Sequence, residues 1–111
     1  MNNRKKIYAV DFDNTLAITN YPTILEPIQP MIDYCIALKK QGHTLILWTC
    51  REGKELYDAV QWCAVRGLQF DYANRNTPEI IKSFGKDTRK IFANCYIDDR
   101  AFDLTEEIKW F

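Results

Sequence analysis

Short apolar runs that stop on carboxylates, separated by stretches of helical periodicity, constrain this chain more than any other feature. Ile7-Tyr8-Ala9-Val10 leads into Asp11-Phe12-Asp13-Asn14-Thr15, and Cys95-Tyr96-Ile97 leads into Asp98-Asp99. Runs this short read as buried strands, so a first strand is expected over Ile7 to Phe12 and a fourth within Ile91 to Asp99. Thr44 to Thr49 is apolar almost throughout, the pattern of a central strand covered on both faces, and Leu68 to Tyr72 reads as a third, more peripheral strand. Between strands, Ile28, Met31, Ile32, Cys35 and Ile36 recur at helical spacing, with Pro27 and Pro30 suited to a helix opening and Gly42 to its end. A second helix is expected from about Lys54 to Arg66, stopped by Gly67. Thr77-Pro78-Glu79 is a cap residue followed by proline at the first helical position, predicting a short helix to Phe84 that Gly85 ends. A terminal helix is expected over Asp103 to Trp110, and Asn14 to Thr23 reads as a loop or short flap. Strand–helix alternation of this kind implies right-handed crossovers and an α/β fold with a doubly wound, three-layer, Rossmann-like parallel sheet.

That topology turns two distant acidic clusters into neighbours. In an open parallel sheet the ligand site lies beyond the carboxyl ends of the strands, so Asp11, Asp13, Asp98 and Asp99 are drawn to one edge. Two carboxylates about 4 Å apart repel by roughly 4 kcal/mol at an effective dielectric near 20, so the cluster needs a cation or raised pKa values. Oxygen ligands without His or Cys favour magnesium, which uses one or two carboxylates, water and substrate phosphate.

The 111 residues are enough for one domain with a single core, and the composition is that of a globular protein. No apolar run approaches a membrane span, and the start Met1 to Lys6 leads only into a short strand and then Asp11, so neither a membrane anchor nor a signal peptide is expected. A cytoplasmic location follows. Net charge is zero and the basic residues are dispersed, which argues against a nucleic-acid partner. Cys35, Cys50, Cys63 and Cys95 fall in apolar patterns without metal-type pairing and read as buried thiols; His43 reads as a surface or turn residue. Asn74-Arg75-Asn76 reads as a turn, and Trp48, Trp62 and Trp110 as packing residues.

With these elements in order, the chain resembles the haloacid dehalogenase superfamily of phosphatases. The shared motifs are Asp11-Phe12-Asp13-Asn14-Thr15 after strand one, Thr49 after strand two, a Lys within Lys86 to Lys90, and Asp98-Asp99 after strand four. They occur in the family's order and extend over nearly the whole chain. The resemblance implies Asp11 as a nucleophile that forms an aspartyl-phosphate and Asp13 as the general acid and base. It also implies a magnesium ion held by the Asp11 and Asp98 carboxylates and the Asp13 backbone carbonyl, with Asp99 in support. Thr49 and a Lys would hold the phosphoryl oxygens where charge accumulates. Lys90 is nearest the fourth strand, in a segment able to form one helical turn, and takes that role here, with Lys86 the alternative. Arg51 and Arg100, at strand exits, are either phosphate contacts or charge-balancing partners of the acidic site. Asn14 stands where the family often has Gly, and Asn tolerates left-handed backbone.

The spans from Asp13 to Pro27 and from Tyr72 to Cys95 are too short for a cap domain. An uncapped site admits a phosphate on a bulky molecule or is closed by a second subunit in a homo-oligomer, and the sequence leaves both open. The Tyr96 to Arg100 ending also resembles deoxyribonucleotidase-like phosphatases, which makes nucleotides candidate substrates beside other phosphorylated small molecules. A different reading is a non-catalytic phosphate binder or a receiver-like phosphorylation switch. Receivers, however, carry the acidic pair after strand one and the phosphorylated Asp later, the reverse of the order here.

Overall fold

The computed structural model describes residues 4–100. Four short parallel strands form its centre: β1 (Ile7–Val10), β4 (Thr44–Leu47), β5 (Tyr72–Ala73) and β6 (Cys95–Ile97), in the order β5-β4-β1-β6. Ile7 to Val10 pair in register with Thr44 to Leu47 on one side, and Tyr8 to Val10 with Cys95 to Ile97 on the other. The two strands that end at the acidic clusters, β1 and β6, are therefore adjacent.

The period-two alternation of side chains splits the sheet's apolar residues between two faces. Val10, Leu45 and Leu47 pack with Ile32, Cys35 and Leu38 of helix α1 (Gln29–Lys40) and with Ala59 and Cys63 of α2 (Gly53–Val65). Ala9 and Ile46 point the other way, onto Ile91, with Ile7, Trp48, Tyr72 and Ala93 around them. Leu45, Ile46 and Leu47 have no exposed surface, and each such side chain contributes on the order of 2 kcal/mol of burial free energy. The third helix, α3 (Pro78–Phe84), buries no residue. Among the described residues, the second face is covered by the 91–93 segment rather than by a helix. The helix expected over Asp103 to Trp110 lies outside the described residues.

Local chemistry explains the helix limits. Thr77 accepts a hydrogen bond from the Ile80 amide, Pro78 opens α3, and Gly85 closes it at φ 80°. Helix α1 carries Pro30 in its first turn and Lys39 and Lys40 in its last, where cations complement the helix dipole. No described helix is long and apolar enough to cross a membrane.

Three expectations need correction. The segment after Asp13 is an antiparallel hairpin, β2 (Ala17–Asn20) and β3 (Thr23–Pro27), rather than a loop. Its strands are largely exposed, so no apolar alternation marks them in sequence. The outer parallel strands are also shorter than expected: β5 pairs only Tyr72 and Ala73 with Ile46 and Leu47, because Leu68 packs into the α1–α2 core before the strand begins. Finally, only Cys35 and Cys63 are buried thiols, with burial pushing them up to about 11 and about 12; Cys50, past the end of β4, and Cys95, on the outer strand β6, are exposed.

Candidate phosphoryl-transfer site

The strand ends build the site through backbone pairing. The Asp11 amide donates to the Ile97 carbonyl at 2.9 Å, and the Trp48 amide to the Val10 carbonyl at 2.8 Å, so the ladder continues one residue past each strand. The chain then turns sharply. Amides of Thr15, Leu16 and Ala17 all converge on the Phe12 carbonyl, and Asn14 adopts φ 60°, the left-handed conformation that its side chain tolerates.

A cavity of about 400 Å³ opens at this edge, lined by Asp11, Asp13, Asn14, Trp48, Thr49, Cys50, Asp98, Asp99 and Arg100. Carboxylate oxygens of Asp11, Asp98 and Asp99 lie within 4.8 Å of one another. Oxygen donors so grouped suit a hard divalent cation. The Asp13 carboxylate is not in this group; it faces Arg51.

Burial pushes the Asp11 carboxyl up from 3.8 to about 6, against a lowering hydrogen bond from the Phe12 amide and with added repulsion from Asp98, Asp99 and Asp13. Burial also acts upward on Asp13. There the hydrogen bonds from Arg51 and Thr19, with the Arg51 charge, outweigh it and hold the carboxyl below its ordinary value. The folded chain thus binds the Asp11 proton more tightly than the unfolded chain. Its contribution to stability is complete below about pH 4 and is lost as pH rises through about 6 in the absence of divalent cations. Thermal melts between pH 4 and 7 in chelator are expected to show Asp11→Asn gaining on the parent protein as pH rises. A constant difference would contradict this electrostatic account.

Thr49 is fixed by a neighbour from another strand. Its amide donates to Asn74 Oδ1 at 2.9 Å, the Asn74 amide group donates to the Arg51 carbonyl at 3.1 Å, and the Arg51 amide donates to Thr49 Oγ1 at 3.1 Å. A hydroxyl that accepts in this way still has its own proton to donate toward the cavity. Asn74 therefore supports the site, at φ 54°, where the sequence suggested only a turn. An asparagine directly after an edge strand is the signal that could have drawn attention to it.

The two arginines differ. Arg100 lines the cavity with an 86% exposed side chain, 4.0 Å from Asp99. Arg51 is 1% exposed, does not line the cavity, and pairs with Asp13 at 2.8 Å, so it balances charge and is not an open phosphate contact. Neither Lys90 nor Lys86 lines the cavity. The Lys90 ammonium lies 5.6 Å over the Tyr96 ring, and Tyr96 in turn packs against Trp48. The segment before β6 is irregular instead of forming a helical turn, because Asn76 draws it toward the sheet through Asp87, Thr88 and Phe92. Trp62 packs edge-on against Phe12, as expected of a packing residue, whereas Trp48 also forms a wall of the cavity.

No protein-family model and no curated protein matches the chain. Among solved structures, the chain is similar to a conserved protein from Bacteroides thetaiotaomicron, with 41% sequence identity and a TM-score of 0.78 over 88% of this chain and 78% of that one. Identity at this level over most of both chains shows common descent as well as common fold, and the chain belongs to the same family as that conserved Bacteroides protein.

Proposed function

We propose that this protein is a cytoplasmic, magnesium-dependent phosphatase of the haloacid dehalogenase type, without a cap, that hydrolyses phosphomonoesters through an aspartyl-phosphate on Asp11. In this reading the sheet is doubly wound. The observation that carries the proposal is the convergence of Asp11, Asp98, Asp99 and Thr49, from the ends of three adjacent parallel strands, on one open cavity.

An Asp11 carboxylate oxygen attacks phosphorus, forming an O–P bond as the ester P–O bond breaks; Asp13, which Arg51 keeps ionised in the free site, takes up a solvent proton when the substrate's phosphate charge lies beside it and delivers that proton to the leaving oxygen. Water then attacks phosphorus, Asp13 takes the water proton, and the Asp11–phosphorus linkage breaks to release inorganic phosphate. Asp11 and Asp98 would hold the cation, supported by Asp99 and the Asp13 backbone carbonyl. When bound, magnesium would neutralise the crowded carboxylates and polarise a phosphoryl oxygen. Thr49 donates to an equatorial oxygen, and Arg100 is the cation among the cavity-lining residues that could meet phosphate charge. Lys90 requires movement of its segment to reach the same group, and Lys86 is equally outside the cavity. The open cavity suits a phosphorylated small molecule or nucleotide, with Trp48 beside it for a flat leaving group.

The test is a panel of aryl phosphate, nucleotides, sugar phosphates and phosphorylated nucleic-acid ends, assayed with magnesium and with chelator. Turnover of at least one substrate, lost in chelator and restored by magnesium, is expected. Turnover unaffected by chelator, or none on any substrate, would overturn the proposal.

A further inference from the structure

Among the described residues, Arg51 is the largest side chain that the fold buries completely. A guanidinium withdrawn from water costs several kcal/mol unless its donors and charge are matched, and an apolar residue of similar volume would fill the space at less cost. Its partners indicate what the cation does there. Nε donates to Asp13 Oδ2 at 3.0 Å and to Oδ1 at 3.3 Å, and Nη2 donates to Asp13 Oδ1 at 2.8 Å and to the Pro22 carbonyl at 3.2 Å. The guanidinium carbon lies 4.9 Å from the Phe12 ring centre and 5.0 Å from that of Tyr21. From the hairpin, the Thr19 hydroxyl also donates to Asp13 Oδ1, at 2.7 Å, and the Thr19 amide reaches Asn14 Oδ1 at 3.4 Å.

Of the residues around Arg51, Tyr21 and Pro22 belong to the β2–β3 turn and Asp13 and Phe12 to the segment before the hairpin, while Thr19 of β2 joins the group through its bond to Asp13. Asp13 lines the cavity, whereas Arg51 and the hairpin partners do not. Resting on the phosphatase reading, we propose that Arg51 is a positioning residue that locks hairpin β2–β3 to the Asp13 carboxylate, so that hairpin placement sets the position from which Asp13 exchanges protons with leaving group and water. A planar fork contacts both carboxylate oxygens and the Pro22 carbonyl together; a lysine ammonium at the same place supplies charge without that geometry.

Two measurements on the full chain test this, using Arg51→Lys and the milder Thr19→Val. Amide hydrogen exchange should quicken at least about tenfold over hairpin residues 17–27 in both variants, with β1 and β4 unchanged. Unchanged hairpin exchange would overturn the lock. Kinetics should separate two donors: glycerol 2-phosphate, whose alkoxide must be protonated to leave, and 4-nitrophenyl phosphate, whose leaving group needs little help. Arg51→Lys is expected to lower kcat on the first by about 100-fold and on the second by less than about 5-fold, with KM within about twofold on both. Thr19→Val should show the same split at smaller size. Equal losses on both donors would mean that Arg51 is merely structural and would overturn the positioning role. Parent protein inert to both donors with magnesium would instead overturn the phosphatase reading and the acid–base role together, while hairpin exchange would still decide whether the lock exists.

Discussion

Asp11→Asn is expected to reduce magnesium-dependent hydrolysis of an aryl phosphate by at least about 10³-fold, because the amide oxygen cannot replace the attacking carboxylate. The same substitution removes one negative charge from a cluster whose carboxylate oxygens lie within 4.8 Å of one another, so the folded protein should be no less stable, and more stable near neutral pH without divalent cations. Lost turnover in a protein that melts no earlier separates a chemical role from a structural one. Steady-state rates and thermal melts on the same preparation provide the measurement. Residual activity above about one tenth of the parent would sink Asp11 as nucleophile.

Asn76→Ala should destabilise the fold by about 3 kcal/mol, seen as a fall in melting temperature on the order of 10 °C. Asn76 has no exposed surface and acts in both directions: Oδ1 accepts from the Phe92 amide at 2.7 Å, while Nδ2 donates to Asp87 Oδ1 at 2.8 Å and to the Thr88 carbonyl and hydroxyl at 3.2 Å. Its own backbone amide reaches Asp87 Oδ1 as well, at 3.1 Å. Truncation removes these hydrogen bonds together and empties the space of a side chain with no exposed surface, so the lost bonds and the cavity add. Asn76→Asp should cost at least as much, because it replaces the donor facing Asp87 with a second carboxylate. Denaturant titration would decide, and a loss below about 1 kcal/mol in both variants would show that the segment is held by its apolar contacts alone.

What was legible in the sequence is what local pattern controls. The apolar runs at β1 and β4 and the helical spacing of α1 and α2 are strong because burial enforces periodicity. The Thr77-Pro78 start and Gly85 stop of α3 follow from backbone chemistry within a few residues. Asp11, Asp13, Thr49, Asp98 and Asp99 come together at one edge as expected because parallel register fixes strand ends. The hairpin is not legible because β2 and β3 face mostly solvent, and because Pro22 suits the turn between strands as readily as a loop. The place of Lys90, outside the cavity, is not legible locally because it depends on an irregular segment tethered by Asn76, a residue 14 positions away in sequence. The sequence leaves two roles open for Arg51, because no local pattern reveals that a cation is withdrawn from water; only its pairing with Asp13 across 38 residues decides it.

The bonds made by Asn74 have a consequence for how variation in this fold should be interpreted. Thr49 is held by an asparagine that follows β5, an outer strand of the sheet. The rim of the protein and its centre are thus mechanically one part, and a substitution along the rim would retune a hydroxyl it never touches. Random mutagenesis selected for altered turnover should therefore recover changes around Tyr72 to Asn74 beside those in the cavity, and natural variants there should differ in rate before they differ in melting temperature.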